Sequence, residues 1–137
     1  MKENKFHAEK CRAYGREFDS KAEADRYGEL LLLQRAGEIS NLECQVPYEL
    51  IPAQYETIPR YGKNGKRLKD GKRCVEKSVV YYADFQYINK DGEKVVEDVK
   101  GFRESNAYAL FTIKRKLMLQ RYGIRVQEIT KKRVTKR

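Results

Sequence analysis

Apolar positions change period along the chain, and the changes divide it into elements. From Lys21 to Ala36 the residues Ala24, Tyr27, Leu30 and Leu31 recur at helical spacing. Ser20 stands in front as an N-cap with Glu23 three residues on, and Gly37 behind suits the residue after the helix. The run Leu30 to Leu33 is apolar almost all round, which predicts a helix sandwiched between layers. Over 39–51 the period falls to two, with Leu42, Cys44, Val46, Tyr48 and Leu50 alternating as in a strand. Pro47 has no amide proton, so this strand is expected at a sheet edge or at a bulge. Val79 to Ile88 is a second strand, Asn89-Lys90-Asp91-Gly92 a tight turn, and Lys94 to Val99 the returning partner. A helix over 106–120 stops near Gly123, and Ile124 to Ile129 makes the last strand.

The rest of the chain reads more weakly. Residues 1–17 are polar and irregular, ending in a short extended piece through Phe18. Residues 60–73, with Gly62, Gly65 and Gly71, read as an exposed, mobile loop or a long hairpin. The tail 131–137 is basic. The order is therefore α-β-β-β-α-β. It predicts one α/β domain over 1–137, with its core in 13–129 and a mixed β-sheet core flanked by helices. A length of 137 residues supports one modest core.

Charge changes this picture by pointing to a partner. Thirty Lys and Arg against twenty Asp and Glu leave a formal +10. The excess is localised. Residues 60–77 carry eight basic and two acidic groups, and 114–137 carry ten and one, whereas 1–59 and 78–113 are both net acidic. Two basic blocks suit a phosphate backbone. The cations expected to contact it are Lys63, Lys66, Arg67, Lys69, Lys72 and Arg73, with Lys114 and Arg121 on one face of the second helix. Cys11, Cys44 and Cys74 are odd in number and far apart, so reduced thiols are expected rather than a zinc site or disulfides. His7 is the only histidine, which rules out a histidine-rich metal centre. No apolar run approaches a membrane span and no signal-peptide core opens the chain, so the protein is expected in a cytoplasm, without a membrane. Gly62-Lys63-Asn64-Gly65-Lys66 lacks the Ser or Thr ending of a phosphate-binding loop, which argues against a nucleoside triphosphate.

The acidic middle requires its own explanation. Asp84 lies inside the apolar strand Val79 to Ile88, and Asp98 and Lys100 lie on one face of its hairpin partner. The turn at 89–92 folds Asp84 back beside Asp98. Two close carboxylates repel, and burying them unpaired is costly. A divalent cation relieves both problems, and aspartate oxygens suit magnesium. Lys100 could then orient a water or steady the charge on a phosphate. The bland alternative is that both acids sit on a wet strand face. Glu97 points the other way and reads as structural, and Gln45 could reach the cleft as a polar accessory.

Asp84 followed by Asp98-Val99-Lys100 resembles the signature of the PD-(D/E)xK restriction-endonuclease-like nucleases, with Ala83 where that signature often has proline. The blocks Phe18-Asp19-Ser20-Lys21-x-Glu23-Ala24, Gly37-Glu38-Ile39-Ser40, Tyr82-Ala83-Asp84-Phe85 and Val96 to Gly101 resemble, more closely, a family of small phage and prophage proteins. The resemblance spans about residues 13–129. It implies a restriction-endonuclease-like fold and magnesium, with manganese able to substitute. It implies catalytic residues Glu23, Asp84, Asp98 and Lys100, and metal ligation by Glu23, Asp84, Asp98 and the Val99 carbonyl. Glu23 has a rival role as the third residue of a Ser20-x-x-Glu23 capping box.

The function expected is a magnesium-dependent endonuclease hydrolysing DNA, with branched DNA such as a Holliday junction as one substrate class. A junction-cutting enzyme needs two sites and hence a homodimer. The alternatives are a non-catalytic DNA-binding module, which leaves Asp84 and Asp98 without a role, and a basic scaffold protein of phage assembly.

Overall fold

A computed structural model describes residues 10–101 and 106–130. His7 and the basic tail 131–137 lie outside the described residues. In chain order the elements are β1 (Cys11–Ala13), β2 (Arg16–Phe18), α1 (Lys21–Arg35), β3 (Ile39–Ile51), β4 (Gln54–Tyr61), β5 (Arg67–Glu76), β6 (Val79–Asn89), β7 (Lys94–Lys100), α2 (Asn106–Tyr122) and β8 (Gln127–Thr130).

The main sheet has the order β3-β6-β7-β8. Its first three strands are antiparallel, and β8 joins β7 in parallel after the crossover through α2. This is the mixed sheet flanked by helices that the sequence predicts, and it agrees with a restriction-endonuclease-like fold. Pro47 lies in β3, an edge strand, where a missing amide proton costs no ladder bond on the open side. The β6–β7 turn closes at Gly92 (φ +80°), with the Asn89 side chain accepting from the amides of Asp91 and Glu93.

Four strands add to the predicted order. β1 and β2 form a hairpin whose two turn residues, Tyr14 and Gly15, both have positive φ. That is the backbone of a primed two-residue turn, with tyrosine where asparagine or glycine is usual. Its Tyr14 hydroxyl lies so close to Gly28 of α1 that a Cβ there would sit 2.2 Å from the oxygen. β4 and β5 form a separate two-stranded ribbon, so the segment 60–73 is a hairpin and not a loop.

α1 starts where the sequence predicts. Ser20 is extended and its Oγ accepts from the Glu23 amide at 3.2 Å. It ends in a Schellman arrangement, with Gly37 at φ +80° and the amides of Gly37 and Glu38 donating to Gln34 and Leu33. The expectation of a sandwiched helix is corrected: Leu30 is fully buried, but Leu32 is 64% exposed and Leu33 also faces out. One face of α1 packs on the sheet and the other meets solvent.

The core has two parts. Leu30, Ala24 and Tyr27 of α1 pack on Phe18, Ile39, Phe85 and Tyr87. Phe111 and Met118 of α2 pack on Leu50, Tyr81, Ala83, Val96 and Val126. In β7 the division follows strand alternation, because Val95 and Val99 pack with the α1 cluster and Val96 with the α2 cluster. The helices therefore cover opposite faces of β7. In β6 the division breaks alternation. Phe85 and Tyr87 pack with α1, whereas Tyr81 and Ala83, of the same parity, pack with α2. β3 switches at the same level, between Cys44 and Val46, while the pairs Cys44↔Phe85 and Val46↔Ala83 stay in register. The two residues between those pairs are Gln45, with φ +51°, and Asp84. The strands are turned about their axes at this one step.

Candidate active site at the strand switch

Asp84 sits at the switch and so meets side chains from both faces. Its Oδ2 accepts from the Val99 amide at 2.8 Å, which ends the β6–β7 backbone ladder after Phe85↔Glu97. Its Oδ1 accepts from Gln45 Nε2 at 3.3 Å, and the same Nε2 donates to Glu23 Oε1 at 3.0 Å. Gln45 thus bridges α1 and β6. Its left-handed backbone, strained for a non-glycine residue, aims the side chain inward.

Across the ladder, Asp98 is buried. Its Oδ1 accepts from the Tyr81 hydroxyl at 3.1 Å. Its Oδ2 contacts Lys100 Nζ at 2.6 Å, a charge contact without hydrogen-bond alignment, since Oδ2 has no hydrogen-bond partner. The Lys100 ammonium also stands 3.9 Å from the centre of the Phe111 ring. Burial, with the like charges of Asp98 and Glu23, pushes the Asp84 carboxyl up to about 8. Burial and Asp19 also raise Glu23. At neutral pH the cluster therefore favours a retained proton at Asp84. On the other face of β7, Glu97 is fully buried, bonded to Arg26 of α1 at 2.7 and 2.8 Å and to the Tyr87 hydroxyl. That makes Glu97 structural, as read from alternation.

The sequence set thus falls into two groups. Glu23, Asp84, Asp98 and Lys100 form one connected cluster, with Val99 tied to Asp84 through its amide. The capping question has a divided answer. Ser20 caps the Glu23 amide, while the Glu23 carboxylate turns to Gln45, Asp84 and the Asp19 backbone. The cations lie elsewhere. Lys63, Lys66, Arg67, Lys69, Lys72 and Arg73 are on the β4–β5 ribbon, Arg67 paired with Asp70 and Arg73 with Glu56. Lys114 and Arg121 are on α2, with Arg121 3.8 Å from Glu49. The prediction missed Arg16. It lines a cleft of about 430 Å3 with Asp19, Glu23, Cys44 and Gln45, on a β-strand too short for periodicity to show. Burial raises the Cys44 thiol beside it, which keeps it protonated.

Residues 3–136 match the model of the family described as "Protein of unknown function (DUF1064)". The chain belongs to this family. DUF1064 is related to the PD-(D/E)xK nuclease-like phage proteins, the group that the Asp84 and Asp98-x-Lys100 motifs resemble. No curated protein and no solved structure matches the chain.

Among the described residues, no three His, Cys, Asp or Glu side chains converge as a ready metal site. Gln45 and Lys100 lie against the carboxylates instead. The chemistry of the donor set nonetheless fits a hard cation. All the side-chain donors that would face it are oxygens, Asp98 Oδ2 is buried without a hydrogen bond, and burial with the charges of Asp98 and Glu23 raises the proton affinity of Asp84. Among the described residues no helix is long and apolar enough to cross a membrane.

Proposed function

We propose that this DUF1064 protein is a magnesium-dependent endonuclease that hydrolyses DNA. The observation that carries the reading is the joining of Glu23 and Asp84 through a strained Gln45, beside a buried Asp98 whose charge reaches Asp84 and which carries Lys100. A structural role does not account for a buried Asp84 set against the like charges of Asp98 and Glu23 at a point where the backbone is itself strained. In this reading Glu23, Asp84, Asp98 and the Val99 carbonyl hold magnesium, or manganese in its place. A bound divalent cation would polarise a phosphate and lower the pKa of a water on it. Lys100, braced by Phe111, orients the attacking water or a non-bridging oxygen. Gln45 holds Glu23 and Asp84 together before the cation binds. The basic ribbon supplies the phosphate contacts. Branched DNA is the proposed substrate class, which calls for a homodimer with two such sites.

The competing reading, a DNA binder without catalysis, draws on Gln45 and Lys100 already satisfying the acids. Plasmid nicking decides between them. The wild type should nick DNA with magnesium or manganese and not with a chelator, and Asp84→Asn or Asp98→Asn should abolish nicking. A folded wild type that binds DNA and never nicks it would establish the second reading.

A further inference from the structure

The β4–β5 ribbon contributes no residue to either core cluster, and nearly all of its side chains are exposed. Its extra residues fall on β5, opposite Gln54–Tyr55 and Ile58–Arg60, so β4 alternates without interruption. Tyr55, Thr57, Pro59 and Tyr61 therefore share one face, and all four are exposed. Glu56 and Ile58, on the opposite face, are partly covered. Tyr55 and Tyr61 are each 61% exposed, and among the described residues neither makes a ring contact. Across the ribbon Tyr61 pairs with Arg67 and Thr57 with Lys72, which interleaves rings and cations on one face. Six residues of strand set the rings about 20 Å apart.

From Gln54 to Glu76 there are seven Lys and Arg against three Asp and Glu. Both Asp70 and Glu56 are taken by Arg67 and Arg73. Lys63, Lys66, Lys69 and Lys72 make no ion pair among the described residues. A duplex hides its base faces, so it can use the cations but not the rings. An unpaired strand presents phosphates and base faces together, and aromatic rings between cations suit both.

We propose that the Tyr55–Tyr61 face of the ribbon binds an unpaired nucleic-acid strand. This deepens the nuclease reading, because it makes the preferred substrate one with single-stranded character. It stands on binding alone and does not need cleavage.

The test is fluorescence anisotropy of a labelled oligothymidylate and a duplex of equal length, with chelator present. Tyr55→Thr/Tyr61→Thr retains strand propensity and removes both rings. It should weaken single-strand binding roughly tenfold per ring, leave duplex binding within about twofold, and keep the salt slope of the wild type. Tyr55→Phe/Tyr61→Phe keeps the rings and should bind like the wild type. Lys66→Ala/Lys72→Ala should lower the salt slope for both ligands. The proposal is overturned if the threonine variant binds oligothymidylate like the wild type, if it loses both ligands equally, or if the phenylalanine variant loses the single strand. It is overturned equally if the wild type binds no oligonucleotide. Loss of plasmid nicking with single-strand binding intact would sink the nuclease reading and leave this one standing.

Discussion

Replacing Asp84 with asparagine should make the metal-free protein more stable at alkaline pH, which is unusual for loss of a hydrogen-bonded buried group. The Asp84 carboxyl is lifted from 3.8 to about 8 by burial and by Asp98 and Glu23. A folded-state pKa above the unfolded one means that the native state holds the extra proton. Stability is then fullest below about pH 4 and is lost as pH rises through about 8. The lift from 3.8 to about 8, at about 1.4 kcal/mol for each tenfold change in proton affinity, sets a ceiling of about 5–6 kcal/mol. Asp84 is only partly buried by its surroundings, and solvent screening through the Gln45 side reduces the expected cost to about 2 kcal/mol. Asparagine keeps an acceptor for the Val99 amide and carries no charge. For a chain of this size, about 2 kcal/mol corresponds to a rise in Tm of roughly 6 °C. Thermal melts followed by circular dichroism, with chelator, should show the variant and wild type together at about pH 4.5 and separated at about pH 8. Magnesium should then raise the Tm of the wild type and not of the variant. A variant destabilised by the same amount at both pH values would show instead that the carboxylate is a satisfied structural group.

Three further expectations follow from named contacts. Arg26→Met leaves Glu97 buried and uncompensated, so chemical denaturation should show a loss of about 3 kcal/mol. Any activity per folded molecule should be little changed, since this pair faces away from Asp98. Glu23→Gln keeps the Ser20 cap and the contact with Gln45, so the unfolding free energy in urea should change by less than about 1 kcal/mol while the cleavage rate falls by more than about tenfold; the reverse pattern would make Glu23 a stabiliser of α1 alone. Neutralising Lys66, Arg67, Lys72 and Arg73 together should flatten the salt dependence of DNA affinity measured by filter binding, and an unchanged slope would remove the ribbon from the interface.

The parts of the structure that were legible in the sequence are those with long, regular signals. The β3 strand, α1 with its Ser20 cap and Gly37 stop, and the β6–β7 hairpin occur within a residue or two of the expected limits. In each of them, burial of one face imposes a period that the sequence must carry. The nearness of Asp84 to Asp98 was legible too, because a hairpin with a clear turn fixes which strand positions lie side by side. What was hidden depended on backbone conformation without a residue signature. Tyr14 and Gln45 both adopt positive φ without being glycine. The first conceals a hairpin, and the second conceals the switch that sends Phe85 and Ala83 to different helices. Tyr81, Phe85 and Tyr87 have the same parity in β6 and are all buried, but in two separate clusters. Of the ribbon only its centre was legible, as a loop or a long hairpin over 60–73, because it buries nothing. An element without a covered face carries no hydrophobic period, only glycines and charge.

We propose that this acidic cluster cuts DNA with a metal ion. Its most direct test is cleavage by the full chain of a labelled four-way junction, a flap, a single strand and a matched duplex, side by side with magnesium and with manganese. Cuts are expected at or beside the branch, none with chelator, and none by Asp98→Asn with its fold confirmed. Wild-type protein that is folded, binds these substrates and leaves every one of them intact with both metals would contradict it.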